Sequence, residues 1–229
     1  MDRKNFIKNG VLGVGGTIVG LSIIESCAIL KSEPVIDANE CADSPTEIAG
    51  PFPNKTPLDF VRENIVGDRT GVPLLIKIKV ENTKLNCVPL EDVYVDIWHC
   101  DSKGDYSEYN KQLNGDFTNK HFLRGRQATD ENGMVSFITI YPGWYPGRAP
   151  HLHFEVKTKS GKSLLITQTA LPEDATKAVY KMKEYNGIND TSNVADFFFG
   201  SSLNRNLVNK TFGNVTDGYT MVEVLKVTL

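Results

Sequence analysis

Between Trp144 and Glu155 the chain reads Trp-Tyr-Pro-Gly-Arg-Ala-Pro-His-Leu-His-Phe-Glu, which places a tyrosine, an arginine and a His-x-His pair within one short segment. On a β-strand alternate side chains point to one face, so His151 and His153 project together while Leu152 and Phe154 turn the other way into an apolar layer. Two imidazoles on one face can share a metal ion. A bare His-x-His equally suits a solvated strand face; what shifts the balance to metal is the company of Tyr145, Arg148 and the rigid turn Tyr141-Pro142-Gly143. A second chemically loaded stretch lies upstream, Tyr94-Val-Asp-Ile-Trp-His-Cys-Asp-Ser-Lys-Gly-Asp-Tyr-Ser107. Val93, Val95 and Ile97 alternate with Tyr94, Asp96 and Trp98 as in a half-buried strand, and a turn at Gly104 delivers Tyr106 at its end. Loops at strand ends are where a rigid sheet presents functional groups. Taken alone, Tyr106 reads as an amphipathic side chain lying across a sheet rim.

Together the two segments resemble the intradiol ring-cleavage dioxygenases, non-haem iron(III) enzymes that open catechols between the two hydroxylated carbons. The resemblance runs from about Ala49 to the C-terminus. Its pieces come in the family's order: Gly50-Pro51-Phe52; Gly71-Val-Pro-Leu74; Val95-Asp-Ile-Trp-His99 with Gly104-Asp-Tyr106-Ser107; Arg124-Gly-Arg-Gln-Ala-Thr-Asp130 and Gly133; Thr139-Ile-Tyr-Pro-Gly-Trp-Tyr145; and Arg148-Ala-Pro-His151-Leu-His153-Phe154. The resemblance implies that Tyr106, Tyr145, His151 and His153 are the iron ligands, with Tyr145 and His153 axial. It implies that Tyr145 gives way to a chelating catechol and takes one of its protons. Arg148 then stabilises charge on the ring, and Gln168, in Leu165-Ile-Thr-Gln168, adds a hydrogen bond. One departure bears on substrate. The catechol and protocatechuate enzymes carry a longer insert before the His-x-His, whereas here five residues separate Tyr145 from His151. That trims one wall of the cavity, suggests an open pocket, and resembles the secreted, single-domain branch of the family. The expected substrates are O₂ with catechol or alkyl- and otherwise substituted catechols, giving cis,cis-muconate-type products. The absence of an evident second basic residue beside the pocket argues mildly against a carboxylated ring.

The ligand types suit the chemistry. Fe(III) is a hard acid that prefers anionic oxygen, and a tyrosinate supplies it once the metal has lowered a phenol pKa that is ordinarily near 10. Two phenolates and one hydroxide balance the ferric charge, and neutral imidazoles complete the shell. A ferrous 2-His-1-carboxylate site using Glu155, or a zinc site on the histidines, would leave both tyrosines unused. An alternative from another class is an exported sandwich module that binds a sugar or aromatic ligand on a platform of Tyr106, Trp144 and Tyr145, without catalysis.

The elements that must position these groups read as β. Leu74–Val80, Val93–Trp98, Met134–Tyr141, Leu152–Val156, Ser163–Ala170 and Tyr219–Val227 read as strands, and Glu173–Lys183 as the one helix. Short strands at this spacing predict an antiparallel β-sandwich with one short helix and long ordered loops, of which 186–214 is the longest. With 229 residues, 40% apolar content and 23% charged residues the chain suits a single core. A net charge of −3 with scattered lysines and arginines argues against nucleic acid as a partner.

Ahead of the domain, Arg3, Lys4 and Lys8 precede an apolar run from Val11 to Ile24 that ends at Cys27, the pattern of an export signal over residues 1–27. Ile24-Glu-Ser-Cys27 partly resembles a lipobox. That predicts a bacterial cell exporting the protein to the periplasm, to the membrane through a lipid on Cys27, or to the medium. Residues 28–48 read as a flexible tether and 49–229 as the catalytic domain. Cys41, Cys87 and Cys100 then sit in a disulfide-permissive compartment. Cys87 and Cys100 flank a strand and stand too far apart to bridge, so Cys41 is the expected partner of one of them. The long helical N-terminal region that the catechol 1,2-dioxygenases use for dimerisation is not evident, which leaves the oligomeric state undecided.

Overall fold

The structure, a computed structural model, describes residues 41–55 and 57–229. The expected export signal and the first part of the tether lie outside the described residues. Two sheets face each other. The first is built around β1 (Pro73–Asn82), which has β9 (Gly218–Val227) on one side and both β5 (Met134–Ile140) and the short β2 (Val88–Pro89) on the other; β8 (Lys210–Asn214) pairs beyond β9. The second runs β4 (Arg124–Ala128), β3 (Tyr94–Trp98), β6 (His151–Lys157), β7 (Ser163–Ala170), all antiparallel. Alternation decides the core: Leu74, Ile76, Ile78 and Val80 of β1 meet Val95, Ile97, Leu152, Phe154 and Val156 of the facing sheet, with Phe137, Met221 and Leu225 between them.

The β-sandwich expected from the sequence is the fold observed, and its six strands fall where the alternation placed them. Three short strands were not foreseen. β2 is two residues long, β4 is the polar run Arg-Gly-Arg-Gln-Ala, and β8 carries a glycine, so none shows an alternating apolar pattern. One pairing also departs from the antiparallel expectation. β1 and β9 run parallel, because the first and last strands of the domain lie side by side and the whole intervening chain forms the connection.

Helix α1 spans Glu173–Val179, shorter than the Glu173–Lys183 expected. It stops at Tyr180 because the tyrosines beyond it are drawn inward. Tyr180 donates its hydroxyl to Pro142 O at 3.1 Å, and Tyr185 donates to Tyr141 O at 2.9 Å, so both brace the turn that leads to Tyr145. A second helix, α2 (Leu203–Asn206), interrupts the region expected as one long loop. Part of the expected tether is held: Cys41 is bridged to Cys87, Ser44 N donates to Lys226 O, and Glu47 N donates to Ile166 O. Cys100 is free and buried.

Candidate metal centre

The registers of the second sheet draw one row of side chains across its outer face. Trp98 opposes Arg124 on one side and His153 on the other, and His153 opposes Gln168. Directly opposed residues share a face, so Arg124, Trp98, His153 and Gln168 lie side by side. Trp98 and His153 stack with ring centroids 5.0 Å apart and 7° between planes, which fixes the imidazole. His151 stands two residues back on the same face. The next row is Arg126, Asp96, Glu155 and Ile166, where Arg126 holds Asp96 in a two-pronged pair and Glu155 engages Lys157 at 2.9 Å. Glu155 is thus committed away from the histidines, and no group of three or more His, Cys, Asp or Glu side chains capable of holding a metal occurs among the described residues.

The tyrosines arrive from two loops locked together through their backbones. Gly143 N donates to Asp101 O at 3.0 Å, and a Cβ on Gly143 would meet that same oxygen at 2.5 Å. Gly104, at φ +91°, passes so close to Trp144 O that a side chain has no room. The crossing of these two loops brings Tyr106 and Tyr145 edge to face, with centroids 5.8 Å apart. Tyr145 Oη lies 3.2 Å from His151 Nε2, which lies 3.1 Å from His153 Nε2. Tyr106 packs edge-on to His153 at 6.2 Å, and its hydroxyl is buried with no hydrogen-bond partner.

These four residues fit a metal. His151 Nδ1 must donate to Ala149 O, a carbonyl that can only accept, at 2.6 Å, so the neutral ring turns the Nε2 lone pair toward Tyr145 and His153. Two donors at right angles around one ion, each at about 2.1 Å, stand about 3 Å apart, the spacing seen between these atoms. Burial, aided by Arg148, pushes His151 down to about 3 and His153 well below its ordinary value, which keeps both imidazoles neutral and able to coordinate. Burial likewise raises Tyr145 to about 12 and Tyr106 well above the phenol range. Both tyrosines therefore keep their protons until a cation displaces them.

The family model described as dioxygenase matches residues 48–182. The chain belongs to the intradiol ring-cleavage dioxygenase family. An intradiol ring-cleavage dioxygenase from Tetranychus urticae superposes with a TM-score of 0.73 at 28% identity, covering 82% of this chain and 95% of that one. The protocatechuate 3,4-dioxygenase beta chain of Burkholderia cepacia is 31% identical over 128 residues, 52% of this chain and 54% of that one. Catechol 1,2-dioxygenase of Candida albicans is 28% identical over 192 residues, 69% of this chain and 59% of that one. The chain spans a little over half the length of these two curated relatives.

Within this intradiol fold Arg148 and Gln168 flank the four-residue cluster. Arg148 NH2 donates to Gln168 Oε1 at 2.5 Å and its NH1 lies 3.5 Å from Tyr145 Oη, while Gln168 Nε2 donates to Ile48 O at 2.8 Å. All six residues singled out from the sequence therefore occupy one neighbourhood. Two supporting residues were missed. Arg124, fully buried, binds Ser107 through its Oγ and carbonyl and reaches Phe52 O and Asn54 Oδ1, joining the entrance loop to the tail of Tyr106. Asp196 holds Arg148 from behind. Its segment has no periodicity to mark it, whereas Arg124 sat within a recognised motif with its first arginine unexplained.

Proposed function

We propose that the protein is an exported non-haem iron(III) intradiol dioxygenase that cleaves catechols between the hydroxylated carbons with both atoms of O₂. The observation that carries this reading is the convergence of the Tyr145 oxygen and the His151 and His153 nitrogens within 3.1–3.2 Å steps, next to an orphaned Tyr106 hydroxyl. Iron held by these four residues would supply a Lewis acid that acidifies a chelated catechol and activates its ring. The rest falls to the protein's own side chains. Tyr106 is 1% exposed and hemmed in by Phe52, whereas Tyr145 is only partly buried and leads into the exposed Pro146-Gly147 corner; Tyr145 is therefore the side chain with room to move aside and, as its phenolate, to accept a catechol proton at Oη. Arg148 presents its NH1 edge where negative charge on the ring would develop, and Gln168 holds the neighbouring NH2. His151 and His153 stay neutral throughout, fixed by Ala149 O and the Trp98 ring.

The binding-module reading requires an exposed aromatic platform. Tyr106 is buried edge-on to Tyr145, and Trp144 packs on the core with its indole N–H donating to Gly187 O at 3.0 Å, so the three rings form no such surface. The export pattern around Cys27 extends the proposal to a periplasmic, lipid-anchored or secreted enzyme, and the short Tyr145 to His151 link to substituted catechols as substrates. The test is oxygen uptake by iron-loaded protein against catechol, alkylcatechols, hydroxyquinol and protocatechuate, with the absorption spectrum recorded. A reddish protein that consumes O₂ with several catechols is expected. Colourless iron-loaded protein with no uptake would refute the enzyme, and turnover of protocatechuate alone would refute the pocket argument.

A further inference from the structure

Arg148 is buried, and a buried guanidinium needs a counter-charge. It finds one in Asp196, whose side chain is fully shielded and lies in the 186–214 region, beyond the span that the family model matches. The way they pair differs from that of another buried Arg–Asp pair, Arg126 with Asp96. Arg126 gives Asp96 both its Nε and its NH2 edge, 2.5 and 2.6 Å, which spends the whole fork on stability. Asp196 takes only Nε of Arg148, with Oδ2 at 2.9 Å. The same oxygen accepts Ala149 N–H at 2.7 Å, and Oδ1 accepts Phe198 N–H at 2.9 Å. Two backbone N–H groups thus hold the carboxylate in place, and both terminal nitrogens of Arg148 are left to Gln168 and Tyr145.

The rest of the segment reads as a mount for that carboxylate. Trp144 donates to Gly187 O, Gly147 N–H reaches Asp190 at 3.2 Å, and buried Asn193 donates to Leu171 O at 2.8 Å, so the segment is latched along the Tyr145–Arg148 corner. Phe198 then lies under the guanidinium, 4.4 Å from its carbon to the ring centroid. With Asp196 on one edge, Gln168 on a second and Phe198 beneath, the plane can face only one way.

We propose that Asp196 is the positioning residue for Arg148: it fixes the guanidinium plane through Nε and balances its charge while leaving the NH1 edge directed at the ligand cluster. The catalytic consequence rests on the dioxygenase reading; the geometric consequence does not. Asp196→Asn keeps the shape and removes the charge, and Asp196→Glu keeps the charge and displaces it by one methylene.

The geometric arm is nitrogen–proton NMR on full-length metal-free protein. The Arg148 Nε–H resonance is expected to be protected from solvent exchange in wild type and to lose protection in Asp196→Asn; unchanged protection overturns the proposal. The catalytic arm compares iron-loaded proteins in oxygen uptake. Both variants are expected to lose roughly 10-fold or more in kcat, the scale seen when an outer hydrogen-bond partner is removed, with KM and iron content little changed. In an Arg148→Ala background Asp196→Asn should cost nothing further, since its effect runs through the missing arginine. Losses that multiply in the double variant, or a wild-type kcat in either single variant, would show that Asp196 is merely structural. Wild-type protein that consumes no catechol would defeat the proposed function and leave the NMR result to judge the clamp.

Discussion

Glu223 should make this fold weaken as pH rises through neutrality. It sits on β9 between Met221 and Leu225 on the core-facing side, is 5% exposed, and is pushed up to about 8 by burial. Among the described residues Thr169 donates to Oε1 at 3.3 Å and the Asn209 backbone lies close enough to favour the charged form, but burial outweighs both. The native state therefore holds the proton more tightly than the unfolded chain, where the carboxyl titrates near 4.5. The sign follows: the contribution is fully present below pH 4.5 and is lost as pH climbs to about 8, because over that range the unfolded chain sheds a proton that the folded protein retains. At 1.36 kcal/mol per tenfold change in proton affinity the loss is on the order of 5 kcal/mol, an upper figure since water can reach a charged core carboxylate. Glu223→Gln keeps the volume and removes the titration. Urea unfolding of both proteins across this range should give equal midpoints at the acid end and an increasing advantage to the variant toward alkaline pH. A constant gap between the two proteins across the range would show that Glu223 is not a buried titrating group and would refute the argument.

His151→Ala should weaken iron retention by more than the roughly 10–100-fold that loss of an outer hydrogen-bond partner costs, measured by metal analysis after dialysis against a chelator. Tyr106→Phe should keep the fold, since that hydroxyl has no partner to lose, while bleaching the absorption of the iron-loaded protein. Breaking the Cys41–Cys87 bridge by Cys87→Ser opens a loop with a sequence separation of 46, and chain-entropy reasoning puts the cost at about 4 kcal/mol, to be read from urea unfolding. Gly50→Ala should cost about 1–2 kcal/mol for its φ of +71° and press its Cβ to 3.2 Å from His153 Cε1; the expected readout is a shifted spectrum with lowered iron affinity, and an unaltered spectrum would exclude that contact.

Much of the site was legible because its chemistry is local. His151 and His153 share a face by the two-residue period of a strand, and Arg148 precedes them by one turn of chain. Tyr106 and Gln168 lie far off in sequence, and no spacing rule joins them to His153. Their partnership with it was readable only through resemblance, and the structure supplies the physical reason: strand registers align Gln168 with His153, and two glycines let the Tyr106 and Tyr145 loops cross in backbone contact.

The sequence by itself determined the two apolar faces, because alternation in β1, β3 and β6 admits one inward set, and it determined the residue types that gather in the candidate site. It could not decide the neighbours of those faces. The parallel pairing of β1 with β9, the choice of Cys87 over Cys100 for the bridge, and the arrival of Asp196 behind Arg148 all join segments distant in the chain. Such pairings are selected by the burial and hydrogen bonding of the whole domain, and a pattern of period two carries information only about a strand's own faces.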